Sequence, residues 1–139
     1  MPAKTTKPDG PSKVVRAFID RINHADVDAL ASLMTTEHVF IDALGHHFTG
    51  RDAVRTGWES YFVWFPDYHI EIDEVISRGV SVAAFGTAKG TFAGELREHI
   101  ERTFESPAAW RATVQSGRIA VWRVYCDVSA QQRILAASR

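Results

Sequence analysis

Phe65-Pro66-Asp67-Tyr68-His69-Ile70-Glu71-Ile72-Asp73 is the stretch at which this chain changes character. Proline lacks an N–H, clashes with a preceding helical turn and biases the residue before it away from helix. A helix that reaches Phe65 therefore stops there. From Tyr68 onward Ile70 and Ile72 alternate with His69, Glu71 and Asp73. That period of two is the pattern of a strand with one face in water. Helices upstream and strands downstream make the class α+β, with helices packed on one face of a curved sheet.

Upstream, residues 13–24 carry Val14, Val15, Phe18, Ile19 and Ile22 at i, i+3, i+4 spacing, an amphipathic helix for which Ser12 is the expected cap. Asn23-His24-Ala25 breaks it, and Asp26 caps a second helix with Val27, Leu30, Leu33 and Met34 on its apolar face. So short a link makes the two helices antiparallel or sharply angled neighbours. Residues 38–44 read as a strand ended by Gly45. A third helix starts at Thr49 or Asp52 and runs over about 52–65; its Trp58, Tyr61, Phe62, Trp64 and Phe65 demand heavy packing on a sheet.

Downstream, residues 68–77 form a half-exposed strand and Arg78-Gly79 turns into a more continuously apolar one over 80–91. Gly90, Gly94 and the polar stretch 95–101 mark a bend or long connection. Residues 102–113 and 118–127 make a last hairpin with Gln115-Ser116-Gly117 at its turn, and 128–137 suits a short helix. The expected sheet is antiparallel.

The 139 residues suit a single domain over 12–139, preceded by a disordered tail at 1–11 that has no apolar signal-peptide core. A net charge of −1 with scattered basic residues offers no footprint for nucleic acid or an anionic membrane. No apolar run approaches the roughly 18–20 residues a membrane span needs. The lone Cys126 excludes an internal disulfide and a Cys-rich zinc site; in its apolar run it reads as inert packing, consistent with a reducing cytoplasm. No cofactor or metal site is expected: His69-Ile70-Glu71 has the His-x-acid spacing of an iron site but no identifiable third ligand.

Asp42, in His38-Val39-Phe40-Ile41-Asp42-Ala43-Leu44-Gly45, closes an apolar, β-branched run. An unpaired carboxylate buried there costs several kcal/mol or takes up a proton. Two readings compete. Asp42 is a base in an apolar cleft, its proton affinity raised by Phe18, Phe40, Trp58 and Trp122, or it is a strand-end acid bonded to the Ala43–His46 turn. His46 and His47 follow directly, and His38 shares its pleat face.

The order and spacing of three pieces resemble the NTF2-like cone fold, in its ketosteroid-isomerase and SnoaL-like polyketide-cyclase branch. They are Val-Val-Arg-Ala-Phe-Ile-Asp-Arg-Ile-Asn-His-Ala-Asp-Val-Asp-Ala-Leu (14–30), Phe65-Pro66-Asp67-Tyr68-His69-Ile70, and Gly117-Arg118-Ile119 followed by Trp122 and Asp127. The resemblance implies a cone whose three N-terminal-half helices close over one small-molecule pocket. It places Asp42 where the isomerases carry their aspartate base. Their tyrosine donor falls at Phe18 and their protonated aspartic acid at Ala108 or Ala109, so both oxyanion donors are absent. Such donors contribute about 2.7–4 kcal/mol each, which argues against authentic steroid isomerisation. The cyclase acid falls near Val124 and its histidine near Trp110; Asp127 lies on the opposite pleat face and does not replace the acid.

The family geometry thus implies Asp42 as catalytic base and a substrate-binding wall of Phe18, Ile22, His38, Phe40, Trp58, Phe62, Trp110, Trp122 and Val124. The expected partner is a small hydrophobic molecule. It is turned over by a proton-transfer isomerase, cyclase or dehydratase, or simply held by a non-catalytic binding module. Arg123, Tyr125 and Asp127 share the other face of the last strand, which in this fold commonly meets a second subunit, so a homodimer through the sheet is expected.

Overall fold

A computed structural model describes residues 10–139. Residues 1–9 of the expected tail lie outside the described residues, while Gly10 and Pro11 open the first helix. The described chain runs α1 (Gly10–Asn23), α2 (Val27–Ser32), β1 (Met34–Ile41), β2 (His47–Thr49), α3 (Arg51–Trp64), β3 (His69–Arg78), β4 (Ser81–Thr91), β5 (Thr103–Gln115), β6 (Arg118–Cys126) and α4 (Ser129–Ala137). The strands form one six-stranded sheet in the order β2-β1-β6-β5-β4-β3.

The sheet is mixed rather than antiparallel throughout, because β1 lies parallel to β6 while every other pairing is antiparallel. Ser12 is not a cap but a buried residue inside α1. Asp26 caps α2 as expected, its side chain accepting from the Ala29 N–H at 3.1 Å. That helix is shorter than the apolar spacing suggests, and Met34, expected on its face, is the first residue of β1. The short β2, unforeseen in the sequence, pairs Phe48 with Phe40 and His47 with Ile41. At the last hairpin Ser116 and Gly117 both have positive φ (50° and 77°), the geometry of a type I′ turn that follows the strand twist.

The core lies between the helices and one face of the sheet. Val15, Phe18, Ile19 and Ile22 from α1 and Val54, Trp58 and Phe62 from α3 are buried there against Trp110, Ala112, Ile119 and Trp122. Asn23 ties α1 to the edge strand: its amide donates to the Ile70 carbonyl at 2.9 Å and accepts from the Ile70 N–H at 2.8 Å. Arg55 of α3 bonds Asp28 of α2 and Glu59 on its own helix.

Candidate functional site

Because β1 and β6 are parallel, their C-terminal ends lie side by side, and a cavity of about 470 Å³ opens there. Phe40 and Asp42 reach it from the end of β1, and Val124 and Cys126, two residues apart on one pleat face, from the end of β6. Trp58, Tyr61 and Trp64 descend from α3, Phe48 comes from β2, and Tyr68 and Ala88 lie at the far side of the sheet. Gln131 of α4 completes the wall.

The turn at Asp42 follows from its sequence. Gly45 supplies a left-handed φ of 86°, which an L side chain rarely adopts. The Asp42 N–H donates to the His46 carbonyl and the Gly45 N–H to the Asp42 carbonyl, each at 3.0 Å. Carboxylate Oδ1 accepts from the N–H groups of Leu44 (3.0 Å) and His46 (2.9 Å), and Oδ2 lies 3.3 Å from His46 Nδ1. The Asp42 side chain is 29% exposed, so it stands at the cavity rim rather than in a sealed apolar site.

Of the residues expected to form the wall, Asp42, Phe40, Trp58 and Val124 line the cavity. Phe18, Ile22, His38, Phe62, Trp110 and Trp122 are buried beside it, in the packed part of the cone, and do not line it. Phe18 packs on Trp122 with ring centroids 4.8 Å apart, Trp122 stacks on Trp110 at 6.5 Å, and Phe62 stacks on Trp58 at 5.4 Å. Rings of that volume leave no space around them. The enclosure of Asp42 by Phe18 and Trp122 is therefore corrected: both belong to the packed core.

Tyr61, Tyr68, Cys126 and Gln131 line the cavity without having been singled out as wall residues. Tyr61 follows Trp58 at i+3 and Cys126 follows Val124 at i+2, so face periodicity carried a signal for those two. Burial pushes the Tyr61 and Tyr68 phenols and the Cys126 thiol up, which keeps all three protonated near neutral pH. Of the charged side chains among the described residues, Asp42 alone lines the cavity.

A second depression of about 420 Å³ is lined by Thr35, Thr36, Arg51, Gln115, Ser116 and Arg118. It is shallow and polar, whereas the cavity at Asp42 has the largely apolar wall with a few polar groups that small-molecule sites share. No group of three or more His, Cys, Asp or Glu among the described residues could hold a metal ion, and no described helix is long and apolar enough to cross a membrane. Asp127 is used structurally: its carboxylate accepts from the Ser129 N–H at 2.9 Å and from the Ser129 hydroxyl, at the start of α4.

The family described as SnoaL-like domain matches residues 15–122. No curated protein sequence matches the chain. Among solved structures, a candidate SnoaL-like polyketide cyclase of Jannaschia sp. CCS1 superposes with a TM-score of 0.78 at 18% identity, over 94% of each chain. A ketosteroid isomerase-like protein of Catenulispora acidiphila in complex with trimethylamine gives 0.73 at 21% identity, over 90% of this chain and 91% of that one. An LEH-like epoxide hydrolase of M. tuberculosis gives 0.75 at 18%, over 92% and 91%. At these identities the likeness is one of fold.

Proposed function

The chain belongs to the SnoaL-like domain family, and on that footing we propose that it binds a small, mostly hydrophobic molecule in the cavity and moves a proton on it, with Asp42 as general base. One observation carries this reading: among the described residues, Asp42 alone brings a charged group to a wall otherwise made of aromatic, aliphatic and neutral polar side chains. An ionised carboxylate is acceptor-only, so it can take a proton α to a carbonyl, the first step of an isomerisation, cyclisation or dehydration. Two turn amides hold Oδ1, which fixes the carboxylate and leaves Oδ2, beside His46, as the atom for the substrate. With no cationic side chain from the described residues on the wall, a neutral ligand fits better than an anionic one.

The test is deuterium exchange into an enolisable bicyclic ketone, 2-tetralone, in D₂O. The wild type accelerates exchange, and Asp42→Asn, which keeps an acceptor for the turn amides, lowers the acceleration by roughly 10²–10⁴-fold. An Asp42→Asn protein exchanging at the wild-type rate removes Asp42 as base. A second reading, a binding module without turnover, is favoured by Phe18, Ala108 and Ala109, which cannot donate to an oxyanion. Saturable binding of 2-tetralone with no exchange above background selects it.

For assembly, we propose a homodimer through the outer sheet face, where Phe85 is 39% and Tyr125 44% exposed, with the Arg123 guanidinium 4.9 Å over the Tyr125 ring. A monomeric mass in solution counts against it. The lone, half-buried Cys126 fits a cytoplasmic setting.

A further inference from the structure

Gln131 is only 7% exposed, stands on the cavity wall, and its carbonyl oxygen Oε1 is buried with no hydrogen-bond partner. A buried acceptor left unpaired is costly, and a ligand that donates to it removes that cost. Its amide lies against the Tyr61 hydroxyl, and the Tyr61 ring meets the Tyr68 ring edge-on, with centroids 5.0 Å apart and planes at 90°. Tyr68 is itself buried and on the wall. Four segments bring these groups together: α3 carries Tyr61, the link before β3 carries Tyr68, the end of β6 carries Cys126 and α4 carries Gln131. All four side chains are neutral. Asp42 follows β1 and Tyr68 precedes β3, with β6, β5 and β4 between those strands.

We propose that Gln131 and Tyr68 form a recognition subsite for a hydroxyl group on the ligand, whose O–H donates to Gln131 Oε1 and whose oxygen accepts from the Tyr68 hydroxyl. This rests on the reading of the cavity as a small-molecule site and names the chemistry of the ligand's buried end. The donor and acceptor inventory selects the group. A ligand carboxylate has no hydrogen for Gln131, an ammonium has no lone pair for Tyr68, and an ether or ketone leaves Gln131 unpaired. Burial holds the Tyr68 phenol protonated, a donor throughout the physiological range.

Three probes of nearly one shape separate these contributions: 2-naphthol donates and accepts, 2-methoxynaphthalene only accepts, and 2-methylnaphthalene does neither. Their affinities are measured by calorimetry on the whole protein. The wild type binds 2-naphthol about tenfold or more tighter than either analogue, equivalent to about 1.4 kcal/mol, although it is the least hydrophobic of the three. Gln131→Leu brings 2-naphthol to within about twofold of its methyl ether and leaves 2-methylnaphthalene bound as tightly or more so. Tyr68→Phe weakens 2-naphthol and its methyl ether and spares 2-methylnaphthalene. Equal affinity of 2-naphthol and its ether in the wild type overturns Gln131 as the acceptor, as does a Gln131→Leu protein that keeps the preference. Equal affinity of all three overturns the subsite and leaves the apolar cavity standing. Binding of none overturns the cavity reading as well.

Discussion

His38 and Ile119 lie 81 residues apart in sequence, yet the imidazole Nδ1–H donates to the Ile119 carbonyl across 2.7 Å. The parallel β1–β6 ladder is interrupted between Met34 and Val39, and the side chain takes up a carbonyl in that interruption. A carbonyl only accepts, so Nδ1 carries the hydrogen and neutral His38 keeps a bare Nε2, buried without a partner, with the Phe18 ring 6.1 Å away. Burial holds its pKa below the ordinary 6.5, outweighing the bond to Ile119. Between the depressed folded value and 6.5 the unfolded chain binds more protons, so stability rises with pH across that window. His38 thus supports the fold fully above about pH 6.5, and its support falls as pH drops toward the folded value, by at most about 1.4 kcal/mol per pH unit. Urea midpoints at pH 7.5, 6 and 5 should fall for the wild type and much less for His38→Gln. Parallel slopes for the two proteins would show that another group is responsible.

The helix–strand division around Pro66 was legible because proline and a period of two act locally. Where the sequence misled, the deciding contact was distant or the local signal ambiguous. Ser12 has a cap's chemistry, but Pro11 in the first helical turn lacks only an N–H that would have no intrahelical partner there, so the helix takes in Gly10, Pro11 and Ser12. Leu33 and Met34 keep helical spacing, yet Met34 pairs with Ile119 far along the chain and enters a strand. That parallel pairing has no sequence signature, since its partners are joined by most of the domain. The pleat face of Phe40, Val124 and Asp42 was readable. How far along the strands the wall empties was not, because that depends on where Trp110 and Trp122 fill the cone.

Asn23 makes two hydrogen bonds to the backbone of one residue, Ile70, giving edge strand β3 a partner on its open side. Asn23→Leu keeps the approximate volume and removes both bonds, leaving a partly buried N–H and C=O unpaired. The expected cost is about 2–3 kcal/mol, read as a lower urea midpoint at unchanged m-value. Asn23→Asp, which can accept from the Ile70 N–H but cannot donate to its carbonyl, should fall between. A loss under about 0.5 kcal/mol for Asn23→Leu would mean that water replaces the amide at no cost.

Asp42 serves its turn as well as the cavity, and the two roles separate by substitution. Asp42→Ala removes the acceptor for the Leu44 and His46 N–H groups and should cost about 1 kcal/mol of stability, the scale of a lost side-chain cap at a partly exposed site. Asp42→Asn retains an acceptor and should cost less than half as much while lowering proton transfer by the roughly 10²–10⁴-fold expected for loss of the base. Thermal unfolding beside the exchange assay gives both readouts. Equal destabilisation by the two variants would show that the charge, not the Oδ1 acceptor, holds the turn.

Gly86 tests how the sheet bends. Strand β3 carries an extra residue between Ile72 and Glu74 opposite the Gly86–Phe85 step, and this bulge brings the Glu71 carbonyl over Gly86. A Cβ built on Gly86 would stand 1.8 Å from that oxygen and 2.9 Å from its carbon, both backbone atoms that cannot rotate aside. Alanine there must push β3 away from β4 along a ladder that carries the far wall of the cavity, Tyr68 and Ala88. Gly86→Ala should therefore destabilise by about 3 kcal/mol or more, at the upper end of overpacking costs. Gly57→Ala on α3, where an added Cβ meets nothing within 4 Å, should instead stabilise by up to about 1 kcal/mol through helix propensity. Unfolding midpoints of the two variants ought to move in opposite directions. If Gly86→Ala unfolds like the wild type, the bulge is able to relax, and the far wall of the cavity moves with it.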